Sequence, residues 1–155
     1  MKKIVLLFLL LTLSLYAEKM SLQTTKNEYI IVDENEGMLN FINIKYHKKN
    51  VLFYLFGRDC PHCQKKIPQI KKLMKNPKIK LIGVHAYHHI SDDELRAYAK
   101  KVGYSFDMLS NKGGKKIIDF LEKLKIWDGS VPFTVLVDDE GNVYEVDASM
   151  IDEQL

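Results

Sequence analysis

Val51-Leu52-Phe53-Tyr54-Leu55-Phe56-Gly57-Arg58-Asp59-Cys60-Pro61-His62-Cys63 is the stretch that decides how this chain folds. Val51 to Phe56 are apolar or aromatic without a single charge, which predicts a central strand buried on both faces. Three turn residues follow, and then the only two cysteines of the chain, three positions apart. From Cys63 on, Ile67, Ile70, Leu73 and Met74 recur at helical spacing, with Lys65, Lys66, Lys71, Lys72 and Lys75 largely on the opposite face. A thiol pair between a buried strand and the start of a helix makes one sulfur a nucleophile and the other its resolving partner. As a structural staple the pair would be weak: so short a loop contributes only ~2 kcal/mol, against ~3 kcal/mol for a 15-residue loop.

The start of the chain has a different character. Lys2 and Lys3 precede an apolar run from Ile4 to Leu15, and Ala17 closes a plausible cleavage site. Residues 1–17 are therefore read as a signal peptide and 18–155 as one domain. The run falls short of the ~20 residues that span a bilayer. A retained N-terminal anchor is the alternative, and no cysteine lies near Ala17 to carry a lipid. Export would place the chain in the periplasm, where disulfides form and persist. Without Lys2 and Lys3, 21 basic residues face 20 acidic ones. The near balance gives no reason to expect nucleic acid as a partner.

The remaining pattern alternates strands and helices. Tyr29–Val32 predicts a strand and Asp33–Gly37 a turn, while Leu39–Tyr46 is ambiguous. Ile79–Val84 predicts a second buried strand. Ser91-Asp92-Asp93-Glu94 is a capping box opening a helix that Gly103 stops. Phe106–Leu109 predicts a short strand and Asn111–Gly114 a turn. Lys115–Lys125 predicts an amphipathic helix with Ile117, Ile118, Leu121 and Leu124 inward. Phe133–Val137 and Asn142–Val146 flank a hairpin signal, and Ser149–Leu155 begins to look helical. The class is α/β: a three-layer domain with a central mixed sheet flanked by helices.

Four features carry a resemblance to the thioredoxin superfamily. An apolar strand runs into Cys60-Pro61-His62-Cys63; Pro68 lies five residues after Cys63; Val131-Pro132 precedes a strand; and a hairpin follows. The segments LIGVHAYHHISDDELRAYAKKVGYSF and SVPFTVLVDDEGNVYEV resemble the TlpA/ResA branch of exported thiol oxidoreductases. The Pro61-His62 dipeptide resembles that of DsbA. The resemblance implies a redox-active Cys60–Cys63 disulfide with no bound cofactor, protein thiols or disulfides as substrates, and a membrane redox partner. It also implies that Pro68 kinks the first helix and that Val131–Pro132 is a cis bond beside the sulfurs, ready to pair with an extended substrate. Two departures stand out. Tyr54 occupies the position of thioredoxin's buried acid, and Lys66 that of the helix glutamate of ResA-like reductases.

At the site itself, Cys60 is expected at the helix N-terminus as the accessible, attacking thiolate, with Cys63 buried behind it. His62 and Arg58 add to the stabilisation of that thiolate, and Asp59 opposes it. A stabilised thiolate favours the reduced pair and makes a stronger oxidant; within the superfamily this tuning spans ~150 mV, about 7 kcal/mol for two electrons. Pro61-His62 thus points to an oxidase and the TlpA/ResA framework to a reductase, such as one serving apocytochrome c thiols in cytochrome c maturation. His85, His88 and His89 suggest a different class, a non-catalytic copper or zinc carrier using the cysteines and a histidine. Their spacing fits no common zinc pattern and histidines at a strand end are usually solvated, so no metal site is expected. Oligomeric state is not legible.

Overall fold

The computed structural model describes residues 18–151; the expected signal peptide, 1–17, and positions 152–155 of the expected last helix lie outside the described residues. In chain order the elements are β1 (Glu18–Gln23), β2 (Tyr29–Asn35), β3 (Met38–Phe41), β4 (Asn50–Phe56), α1 (Pro61–Leu73), β5 (Ile79–His85), α2 (Asp92–Val102), β6 (Asp107–Leu109), α3 (Lys115–Lys123), β7 (Phe133–Val137) and β8 (Val143–Glu145). Five strands form the central sheet in the order β6-β5-β4-β7-β8. β4 runs parallel to β5 and antiparallel to β7, so the sheet is mixed as expected.

The uncharged β4 is the reason for the layering. Its residues alternate between two cores: Val51, Phe53 and Leu55 join one, Leu52, Tyr54 and Phe56 the other. The first core also takes Ile117, Phe120 and Leu121 of α3 and the apolar residues of β1–β3. The second takes Cys63, Ile70 and Leu73 of α1 with Leu95 and Ala99 of α2. Helices thus cover both faces. α1 continues through Pro68, and α2 begins at the Ser91–Glu94 capping box and ends at Gly103.

The N-terminal region departs from the sequence reading. β1–β3 form a separate antiparallel sheet. β1 carries only two buried apolar residues, Met20 and Leu22, too few for a legible strand. β2 extends to Asn35, because the turn needs only Glu36 and Gly37, both at positive φ (51° and 85°). Leu124, expected inward, is exposed, since α3 ends at Lys123. Asp107 of β6 is buried where Lys45 (2.6 Å), Lys26 (3.6 Å) and the Tyr46 hydroxyl converge on its carboxylate. Burial works against its charge, but these partners hold its carboxyl below the usual range.

Gly113 marks the closest approach of the small sheet to the turn before α3. A Cβ there would lie 2.0 Å from the Gln23 carbonyl oxygen. Backbone cannot yield as a side-chain tip does, so Gly113→Ala should cost about 1–3 kcal/mol. Thermal unfolding should fall by roughly 2–12 °C, on ~2–4 °C per kcal/mol for a domain of this size. An unchanged melting temperature would show that the end of β1 can move away from this turn freely.

Candidate active site

Gly57, Arg58 and Asp59 carry the chain from the end of β4 to the start of α1. Cys60 is the N-cap of α1, extended at φ −82° and ψ 115°, and Pro61 opens the first turn. Pro61 suits that position because its missing N–H would have no helical partner. The Cys60 sulfur accepts the Cys63 N–H at 3.1 Å and lies 3.7 Å from the Val131 carbonyl oxygen. Both cysteines are free thiols in the structure. Cys60 keeps 7% of its surface exposed and Cys63 none. Burial, then the neighbouring Cys60 sulfur, pushes the Cys63 thiol up to about 12.

The Val131–Pro132 peptide bond is cis. The preceding loop is shaped by Trp127, whose indole N–H donates to the Ser130 carbonyl at 2.6 Å. Cys60, Cys63, Val131 and Pro61 are therefore brought together, and Pro132 follows directly. Pro68 lies two turns along α1, away from the sulfurs. His62 is exposed on the first turn and hydrogen-bonds neither sulfur, so its influence on them is confined to charge and to its effect on the turn.

Tyr54 is buried beneath α1, and its hydroxyl donates to the Cys63 carbonyl at 3.4 Å. Burial holds that phenol well above its ordinary range, so it stays protonated. Tyr54 and Pro132 share a cavity of about 220 Å³ whose wall includes Lys66, Ile70, Glu145 and Asp147. Lys66 stands 3.9 Å from the Asp147 carboxylate. The positions of the expected acids do hold Tyr54 and Lys66, but carboxylates reach the same cavity from the segment at and after β8. Nothing in the sequence around Glu145 and Asp147 signals that placement.

The three histidines separate. His88 and His89 are exposed, whereas His85, expected to be solvated, is 3% exposed. Its Nε2 accepts the Arg58 N–H at 3.1 Å, and its Nδ1 lies 3.3 Å from the Asn111 side-chain oxygen. Both ring nitrogens are occupied, which removes the histidine most suited to joining the cysteines on a metal. Among the described residues no group of three or more His, Cys, Asp or Glu is arranged to hold a metal ion.

The family model described as AhpC/TSA matches residues 17–146, most of the chain and all of the cysteine site. The chain belongs to the AhpC/TSA family. No curated protein matches it. Solved structures similar to this AhpC/TSA-family chain include a thiol-disulfide oxidoreductase from Bacteroides fragilis, with 16% identity over 90% of this chain and 98% of that one, TM-score 0.62. StoA from Bacillus subtilis has 15% identity over 89% and 96%, TM-score 0.58. A secreted Mycobacterium tuberculosis disulfide oxidoreductase homologous to Escherichia coli DsbE has 13% identity over 87% and 92%, TM-score 0.59. At such identity the likeness is one of fold. It agrees with the thioredoxin-superfamily resemblance read from Cys60–Cys63 and Val131–Pro132. Asp147 lies just beyond the family match.

Proposed function

We propose that this protein is an exported, periplasmic thiol–disulfide oxidoreductase that oxidises protein thiols through Cys60 and Cys63. The observation that carries it is the Cys60 sulfur at a helix N-terminus, accepting the Cys63 N–H and facing the Val131 carbonyl. Residues 1–17 supply the reason for export, and the likeness to solved thiol-disulfide oxidoreductases supports the reaction class.

In the oxidising direction a substrate thiolate attacks the Cys60 sulfur of the Cys60–Cys63 disulfide. The S–S bond breaks, a mixed disulfide forms, and Cys63 leaves and takes up a proton. A second substrate thiolate then attacks the substrate sulfur, releasing Cys60 as thiolate. The substrate loses two electrons and the cysteine pair gains them; a membrane redox partner reoxidises the pair. Val131 offers backbone to an extended substrate beside the sulfur. A Cys63 thiol pushed up to about 12 favours this direction, because it stays protonated and rarely attacks the mixed disulfide back.

The second reading is a TlpA/ResA-like reductase, for example of apocytochrome c. Asp147 favours it, as a carboxylate in the cavity that Tyr54 also lines. Comparing two rates decides. Oxidation of a reduced unfolded protein should outpace reduction of insulin, and Tyr54→Asp should raise the second rate by about tenfold or more, through a base near Cys63. Insulin reduction by the unaltered protein at thioredoxin-like rates would make the reductase reading the better one.

A further inference from the structure

His85 is a buried imidazole that the exchange reaction above does not use, yet it touches the loop that delivers Cys60. The Arg58 N–H donates to Nε2, so in this arrangement the ring is neutral with its proton on Nδ1. That proton points to the Asn111 side-chain oxygen, which also accepts the Ile90 N–H at 3.1 Å. The double acceptance fixes the Asn111 amide, and Asn111 in turn fixes the ring. Phe56 packs edge-on against the imidazole at 5.5 Å. Arg58 is tied on its other sides too: its carbonyl accepts from the Gln64 side chain at 3.3 Å, and its guanidinium lies 3.6 Å from Glu94 at the start of α2.

We propose that His85, oriented by Asn111, is a positioning residue for the attacking thiol: its neutral ring holds the Arg58 N–H and so fixes the loop that places Cys60 at the helix terminus, and protonation of the ring releases that loop. In the imidazolium both nitrogens donate, and the Arg58 N–H would face a second donor. The charges around the ring are Arg58 and Asp59 on the loop and His88 beyond β5, with Glu94 of α2 bound to Arg58. Asn111 and Phe56 are neutral. Burial, with Arg58 and His88, resists the added proton, while Asn111 and Asp59 draw it in; the net effect lowers the ring below its ordinary range. A lowered histidine contributes stability above its unfolded value of ~6.5 and loses it as pH falls from there toward the folded value. Release of the loop therefore belongs to the acid side.

The inference rests on the reading of Cys60 as the attacking thiol, but its test needs no protein substrate, so its failure would leave the exchange reaction untouched. The reduced full chain is titrated by NMR from about pH 8 to about pH 4, spanning the ordinary histidine range. The Arg58 and Cys60 amide shifts should follow the titration of the His85 ring itself, and the rate of Cys60 alkylation by iodoacetamide should show an inflection at the same pH. In His85→Gln the side-chain oxygen still accepts the Arg58 N–H but cannot titrate. That variant should keep the alkylation rate at the upper end within about twofold and lose the inflection. His85→Ala should slow it about 3- to 10-fold, the loss of one hydrogen bond. Arg58 and Cys60 amides that ignore the His85 titration, or an inflection at the His85 midpoint surviving in His85→Gln, would overturn the proposal. The titration of the unaltered protein decides it even if His85→Ala does not fold.

Discussion

Cys60→Ser should lose disulfide exchange altogether, while Cys63→Ser should accumulate mixed disulfides with its substrates. The asymmetry follows from burial. Cys60 keeps some exposed surface and faces the Val131 carbonyl; Cys63 has none. A substrate sulfur can reach only the first, so a serine there leaves no sulfur to attack. With Cys60 intact and Cys63 replaced, the Cys60 thiolate attacks a substrate disulfide and expels one substrate thiolate, and the mixed disulfide so formed lacks its internal exit. A thiol pushed up to about 12 by burial and the neighbouring sulfur stays almost wholly protonated at neutral pH, so Cys63 makes a slow exit even in the unaltered protein. Mass spectrometry of the variants under non-reducing conditions measures the adducts. Adducts on Cys63 in the Cys60→Ser protein would reverse the assigned roles.

Phe56→Ala should be the most destabilising single truncation near the site. The ring is fully buried, stacked on Tyr54 at 5.2 Å and Tyr98 at 5.8 Å, with Tyr104 and His85 against it edge-on. Truncation of a buried phenylalanine costs about 3–5 kcal/mol. On ~2–4 °C per kcal/mol, melting should fall by roughly 6–20 °C, read by circular dichroism. A drop of less than about 3 °C would mean that the aromatic rings around Phe56 close over the gap.

The parts of the fold that the sequence displayed are those where one local signal suffices. Val51–Phe56 has no charge, so its burial on both faces needs no partner to be legible. Ser91 and Glu94 specify a helix start within four residues, and both halves of that box are formed. The cysteine pair declares its own position. What stayed hidden depends on residues that meet only in space. β1 has two apolar residues in six, and its pairing with β2 becomes visible only once the turn at Thr24–Glu28 folds back. His85 looked like its exposed neighbours His88 and His89, because a strand end gives no hint that Asn111, 26 residues later, closes over it. Glu145 ends the hairpin and Asp147 follows it, and only the return of β7 beside β4, with β8 outside it, carries them to the cavity with Tyr54 and Lys66.

The order β6-β5-β4-β7-β8 also decides how the central sheet meets other chains. A sheet's outermost strands are templates for unwanted pairing, and here both are three residues long. β6 is further guarded, because its Met108 carbonyl is taken by the Thr25 N–H at 2.8 Å and Arg96 grips the Thr25 carbonyl. The longest strands of this sheet, β4 and β5, are paired on both sides. Among the described residues, the rim of the five-stranded sheet offers an extended polypeptide no long open row of N–H and C=O groups. That geometry leaves the five-stranded sheet a poor template for cross-strand assembly with other chains.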